Sequence, residues 1–184
     1  VHIADVSHYV RHRSALDEEA RLRGTSVYFA DRVIPMLPEA LSNGICSLNA
    51  GEDKLTLSAL MTLDDQGRCK ACRIVKSVIR SKVRGVYSEI NDLFQNTATR
   101  EVKEKYASVM EPLFHMRRMA AALKSAAERR GTMDLISSEA QFVLDEQGHP
   151  VLIQPRLSGE AEVMIEQFMI AANEQVAAFA RKKR

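Results

Sequence analysis

Three groups of residues have the types and spacing to do chemistry. The first centres on Tyr28, within Arg23-Gly-Thr-Ser-Val-Tyr-Phe-Ala-Asp-Arg-Val-Ile-Pro-Met-Leu-Pro38. Gly24 offers a backbone position that takes φ > 0, while Pro35 and Pro38 remove two amide donors and force Ile34 and Leu37 out of the helical region. A ring carried on a short extended segment between these two rigid points can be held in one orientation, as a stacking platform requires. The same pattern fits a half-buried strand aromatic with a satisfied hydroxyl. The second group is basic. Between Gln66 and Ser88 there is no acidic residue, whereas Arg68, Lys70, Arg73, Lys76, Arg80, Lys82 and Arg84 are cationic. In a strand, all of these but Arg73 share one parity and one face, with Val75, Ile79 and Val83 on the other. Such a face attracts a polyphosphate by counterion release, or it guards a solvated sheet edge against aggregation. The third group lies near the C-terminus, where Glu162, Glu166, Met169 and Asn173 fall within about 40° of one another at helical spacing. A glutamate and an asparagine beside the apolar Ile165, Phe168 and Ala172 could hydrogen-bond ribose hydroxyls, or form a solvated boundary that pairs with basic neighbours.

The pattern predicts the elements that position these groups. Val1 to Val10 reads as a largely buried strand, and Leu16 to Arg23 as a short helix with acidic residues at its positive end and Gly24 as its stop. Pro38 to Leu48 reads as irregular. Lys54 to Leu63 and Arg68 to Val83 are two strands joined across Asp64 to Gly67. The chain turns helical near Tyr87. Ser108 and Glu111 predict a capping box opening a long helix that ends at Gly131, with Leu113, Met116, Ala120, Leu123 and Ala127 facing a sheet. A second hairpin runs from Met133 to Leu144 and from Pro150 to Gln154, and Ser158 is predicted to cap a final helix. The fold class is α/β in the α+β sense: a mixed, largely antiparallel sheet with hairpins, packed against a long helix and a C-terminal helix.

The 184 residues fit one domain, and 46% hydrophobic residues suffice for a core. No apolar run is long enough for a membrane span and no export signal is visible, so no membrane partner and a cytoplasmic location are expected. Cys46, Cys69 and Cys72 are an odd number, against a disulfide framework. Cys69 and Cys72 should sit on opposite strand faces without a zinc partner set. The net charge of +2, from 26 basic and 24 acidic residues, decides nothing by itself. The chain opens on Val1 in a predicted strand and closes on Arg181-Lys-Lys-Arg184, so both ends read as cut. Exposed strand edges in such a piece favour self-association.

Several segments together resemble the catalytic domain, the RNB domain, of the RNase II/RNase R exoribonucleases. They are Val1 to Val10, Leu16 to Ala20, Arg23 to Pro38, Leu41-Ser-Asn-Gly-Ile-Cys-Ser-Leu48, Arg84 to Tyr87, Arg130-Gly131 and Ile165 to Asn173, in the family's order. The resemblance implies a processive, Mg²⁺-dependent 3′-to-5′ hydrolysis of single-stranded RNA to nucleoside 5′-monophosphates. Tyr28 matches the aromatic on which the terminal base rests, Tyr87 a tyrosine near the terminal nucleotides, and Glu166 an acidic residue that reads the ribose 2′-hydroxyl. Two positions depart from the pattern. Gly85-Val86 replaces the usual Arg-Leu-Thr-Tyr context, which puts the placement of Tyr87 in question. Leu135 stands where many relatives carry the opposing phenylalanine, so stacking there should be weaker. The family's Mg²⁺-binding aspartates, a phosphate-stabilising arginine and the C-terminal RNA-binding barrel match nothing in residues 1–184. The resemblance therefore implies a partial domain with no catalytic residue of its own and no hydrolysis by the isolated chain. A non-catalytic, RNA-binding or regulatory member of the family is the alternative. A DNA-binding module has no supporting helix-turn-helix, zinc-finger or basic-zipper pattern.

Overall fold

In chain order the elements are β1 (His2–Ala4), α1 (Val6–Tyr9), α2 (Ala15–Arg23), β2 (Val27–Tyr28), β3 (Val33–Ile34), a π-helical turn (Ala40–Ile45), β4 (Asp53–Leu63) and β5 (Cys69–Arg80). Next come α3 (Tyr87–Gln95), α4 (Arg100–Tyr106), a 3₁₀ turn (Ala107–Val109), α5 (Met110–Arg129), β6 (Ala140–Leu144), β7 (Pro150–Pro155) and α6 (Glu160–Lys182). The structure, a computed structural model, describes residues 1–133, 140–145, 147–155 and 158–183. The chain forms two compact units. One comprises Val1–Ile3, Asn49–Leu135 and Ser158–Arg184, the other Ala4–Leu48 and Ile136–Leu157.

In the first unit β4 and β5 make a long antiparallel hairpin, from Asp53 opposite Arg80 to Leu63 opposite Cys69. β1 adds to the far side of β4. The turn forms because Asp64 Oδ1 accepts from the amides of Gln66 (3.0 Å) and Arg68 (2.9 Å), while Gly67 takes φ +74°. One side of the hairpin is unexpectedly polar. Thr56, Ser58 and Ser77 join their hydroxyls at 2.6 to 3.1 Å, and His2 Nδ1 reaches Ser58 Oγ at 2.6 Å, so the buried Thr56 and Ser58 are satisfied.

The unit's core is helical. Ile90, Leu93 and Phe94 of α3 pack with Ala98, Tyr106, Leu113, Ala120, Ala161 and Met164. Leu113, Met116 and Ala120 of the α5 stripe pack into a helix layer with α3 and α6, while Leu123 and Ala127 face the end of the β4–β5 hairpin across a cleft; buried alanines of α6 (Ala161, Ala171, Ala172) permit the close approach. Arg117 ties the layer together, donating to both oxygens of Glu160 at 2.6 and 2.7 Å. Ser108 does not open the long helix. Thr99 caps α4, accepting from the Val102 amide at 3.4 Å, and the chain passes through a 3₁₀ turn into α5, which Gly131 follows at φ +86°. Ser158 is likewise not the cap of α6, a position that falls to Gly159.

In the second unit the expected strand over Val1 to Val10 is cut to three residues. Asp5 is buried and accepts from Ser7 Oγ at 2.6 Å, a local bond that turns the chain into α1. α2 matches its prediction, with Ser14 accepting from the Asp17 amide and Gly24 closing the end at φ +71°. Pro38 to Leu48 is not irregular throughout: Ala40–Ile45 winds into a π-helical turn, with the Cys46 amide bonding back to Leu41 O at 2.9 Å. Of the hairpin expected from Met133, residues 134–139 lie outside the described residues; β6 and β7 pair across a turn in which Asp145 Oδ1 accepts from His149 N at 2.8 Å.

Candidate functional site

Tyr28 is held by the backbone of its own unit. It pairs with Val33 across β2–β3, and the Phe29 amide closes the turn onto Arg32 O at 2.8 Å. The base of this hairpin is tied twice: Arg23 Nη1 donates to Pro35 O (3.2 Å), and the Met36 amide donates to Ser26 Oγ (2.9 Å). Tyr28 is 77% exposed, so the half-buried strand aromatic of the packing interpretation is not what forms. Leu135, expected to face it across a base, lies outside the described residues.

Tyr87, in the first unit, is the first residue of α3 and is 43% exposed. The residue before it is pinned. The Val86 amide donates to the phenol oxygen of Tyr106 (2.9 Å), whose hydroxyl donates to Glu89 Oε2 (2.6 Å), a carboxylate that also takes Lys105 Nζ (2.6 Å). Tyr106 is 1% exposed. The departure at Gly85-Val86 therefore leaves the start of α3 fixed by a buried side chain twenty residues away in sequence.

Glu166 lines a cleft of about 580 Å³ in the same unit. Leu63 and Arg68 come from the hairpin end, Leu123 and Arg130 from the end of α5, and Glu166 and Glu174 from α6. Arg130 pairs with Glu174 at 3.0 Å. Glu166 makes no ion pair or hydrogen bond among the described residues. It is thus an exposed carboxylate available to an incoming donor.

The structure links Tyr87 to Glu166 through two residues that sequence reasoning did not use together. Asn91, one turn after Tyr87 on the same helix face, donates from Nδ2 to Glu162 Oε2 at 2.9 Å and accepts from the Ala161 amide at 2.8 Å. Glu162, one turn before Glu166, also accepts from the Gly159 amide at 3.1 Å. A polar seam thus runs Tyr87, Asn91, Glu162, Glu166. Its only sequence signal was the four-residue spacing within each helix. Glu162 is consumed by this clamp, leaving Glu166 as the available carboxylate.

The basic run does not form a continuous cationic face. β5 ends at Arg80, so Lys82 and Arg84 leave the strand, and a bulge pairs Thr62 with Ala71 but Leu63 with Cys69, setting Lys70 out of register. Asp53 takes Arg80 through two bonds of 2.7 and 2.9 Å, and Asp64 takes both Arg68 (2.9 Å) and Lys70 (3.2 Å). The Arg68 amide, and then the flanking Lys70 and Arg68 side chains, hold the Asp64 carboxyl far below the usual carboxylate range. Among the described residues no three His, Cys, Asp or Glu side chains converge as a metal site. The described residues thus do not by themselves make a Mg²⁺ cage.

The chain matches the RNB domain family across residues 1–184. It belongs to that family. Ribonuclease R of Thermotoga maritima is 47% identical over 178 residues, covering 96% of this chain and 25% of that protein. Ribonuclease R 2 of Lactococcus lactis is 44% identical, covering 100% of this chain and 28% of its own. This RNB domain chain therefore spans about a quarter of the length of the curated relatives it matches. Among solved structures, Mycoplasma genitalium RNase R in complex with ribose methylated single-stranded RNA superposes at a TM-score of 0.92 with 34% identity, over 99% of this chain and 28% of that one. Yeast Ssd1, described as a pseudonuclease, shares the fold at a TM-score of 0.61 and 20% identity, over 91% of this chain and 20% of its own.

The bracket beside Tyr87 gives the RNB domain a pH signature. Lys105 first, and then Tyr106, hold the Glu89 carboxyl below its ordinary value of 4.5. A depressed folded-state value contributes stability that is present above the unfolded value and lost as pH falls through the folded one. Comparing melting temperatures of wild type and Glu89→Gln from pH 7 to pH 3 should show wild type ahead at neutral pH. The gap should close below about 4.5. A gap that stays constant over that range would mean the carboxylate contributes nothing through its charge.

Proposed function

We propose that this RNB domain works within a processive 3′-to-5′ exoribonuclease that hydrolyses single-stranded RNA to nucleoside 5′-monophosphates in the cytoplasm. Residues 1–184 supply part of its hold on the RNA 3′ end. Identities of 44–47% to proteins named Ribonuclease R support this reading, as does the likeness to an RNase R in complex with ribose methylated single-stranded RNA. The observation that carries it is Glu166: an unpaired carboxylate in a cleft, at one end of a seam that begins at Tyr87. A 2′-hydroxyl is a donor that DNA lacks, so a carboxylate acceptor at that point distinguishes the two sugars. Tyr28 would carry a base on its exposed ring, with Leu135 as a weaker, aliphatic counterpart. Stacking on such a ring is indifferent to base identity and is worth about 1–3 kcal/mol per base.

Mg²⁺ in such an enzyme activates water and stabilises the leaving oxygen. The described residues do not fit that ion, so no hydrolytic step is assigned to them, and this chain's own contribution is binding and orientation. The fold in a yeast pseudonuclease keeps a non-catalytic, RNA-binding alternative in view, but that likeness extends to the fold alone, and the identities above favour the nuclease.

Affinities for RNA and DNA oligomers of one sequence and length test the reading. Glu166→Ala should cut the RNA-over-DNA preference about tenfold, equivalent to about 1.4 kcal/mol, with DNA affinity within about twofold of wild type. Tyr28→Ala should weaken both oligomers alike and, in the active enzyme, change the length of the limit product with little change in rate. Equal losses on RNA and DNA for Glu166→Ala would remove the ribose-reading role. An unchanged product ladder for Tyr28→Ala would remove the stacking role.

A further inference from the structure

The clamp at the α3–α6 junction does more than cap a helix. Asn91 bonds two successive residues of α6, Ala161 N and Glu162 Oε2, and it does so one turn from Tyr87 on its own helix and one turn from Glu166 on the other. The approach is close. A Cβ at position 159 would lie 2.3 to 2.8 Å from the Asn91 side chain, so Gly159 is the residue that lets the amide reach the helix start. Below the clamp, Ile90, Leu93 and Phe94 pack on Ala161 and Met164, which resists separation of the two helices. Apolar packing tolerates small slides along a helix axis, whereas an amide with one acceptor and one donor in use admits a single register.

We infer that Asn91 is a positioning residue for sugar recognition: its amide fixes the register of α3 against α6, and so the placement of Tyr87 relative to Glu166. The inference rests on the ribose-reading role given to Glu166 above. It assigns that role's precision to a residue whose amide is committed to α6. A carboxylate displaced by about an ångström loses a directional hydrogen bond while keeping its charge, so mispositioning appears as lost sugar discrimination before it appears as lost affinity.

The test uses the full chain and a donor–acceptor exchange. Asn91→Asp keeps the acceptor toward the Ala161 amide but sets a second carboxylate against Glu162. The double variant N91D/E162Q restores the cross-helix bond with donor and acceptor exchanged, while giving up the bond from the Gly159 amide to the same position. RNA and DNA oligomers of equal length are titrated onto wild type, N91D, N91D/E162Q and E166A, with thermal melting of each. N91D should lower the RNA-over-DNA preference about fivefold, and the double variant should return it to within about twofold of wild type. Gly51→Ala, a backbone change at φ +81° away from the clamp, serves as a destabilised control that leaves the preference unchanged. If E166A loses the preference but N91D keeps it while melting lower, Asn91 is a structural cap only and the inference falls. If the double variant regains its melting temperature without regaining discrimination, the inference also falls. If E166A itself keeps the preference, the ribose-reading role fails first, and that result is distinct from the other two.

Discussion

Tyr106→Phe should destabilise the RNB domain by about 1–3 kcal/mol, and Tyr106→Ala by about 3–5 kcal/mol. The two numbers separate two jobs. The ring is 1% exposed inside the helix cluster, so truncation to alanine leaves a cavity among Ile90, Phe94 and Leu113. The phenylalanine variant keeps the ring and loses only the hydroxyl, which stands between the Val86 amide at 2.9 Å and Glu89 at 2.6 Å. Glu89 retains Lys105 and part of its solvent shell, so most of the phenylalanine cost falls on the Val86 amide, left without an acceptor. Urea denaturation gives the energies, and hydrogen exchange at the Val86 amide gives the location: in Tyr106→Phe that amide should lose protection while the amides of α5 keep theirs. A loss below about 0.5 kcal/mol with Val86 still protected would mean that another acceptor already serves it. Because Val86 immediately precedes Tyr87, the same variant should also loosen the placement of the Tyr87 ring.

What the sequence made legible here follows from the range of the forces involved. The β4–β5 hairpin, α2 with its Gly24 stop, and the Gly131 stop after α5 are set by neighbours within a few residues, and each was readable. The failures have different causes. Val1 to Val10 looked like a strand by composition, but the bond from Ser7 to Asp5 competes locally and wins. Ser108 and Glu111 spelled a capping box, yet Thr99, nine residues earlier, starts the helical run, and the intervening chain has no reason to leave it. At α6 the serine next to the helix lost to a glycine, because the decisive partner was Asn91, about seventy residues away.

The site divides along the same line. The sequence left Tyr28 between a stacking platform and a half-buried strand aromatic, and only its 77% exposure decides against the second; the helix spacing separated Glu166 from its apolar neighbours. Parity counting on β5 failed because it examined only the basic strand. Asp53 and Asp64 sit on the partner strand and at the turn, where they neutralise Arg80, Arg68 and Lys70. A charge pattern on one strand predicts a field only after its cross-strand partner has been counted. The clamp through Asn91 and the bracket through Tyr106 were out of reach for the same reason, since each joins residues whose separation in sequence carries no periodic signal.

Gly67→Ala should be the most damaging single-methyl change in the first unit, at about 2–5 kcal/mol. Two costs add. At φ +74° an alanine sits in left-handed backbone, which costs about 1–2 kcal/mol. Its Cβ would also lie 2.4 Å from the carbonyl oxygen of Ala122, in the middle of α5, and backbone cannot rotate away as a side chain can. The hairpin end must lift off the helix, or the helix must yield, for a further cost of about 1–3 kcal/mol. Gly51→Ala isolates the first cost, since φ is +81° there and nothing lies within 4 Å of the added methyl. At about 2–4 °C per kcal/mol for a chain of this length, Gly67→Ala should melt roughly 4–20 °C below wild type, and Gly51→Ala only about 2–8 °C below. Gly67 and Arg68 line the cleft opposite Glu166, so the larger loss should come with a change in cleft width that the Gly51 variant does not share. Equal melting losses for the two variants would show that the hairpin end does not bear on α5, and the cleft would then lose the wall that this contact gives it.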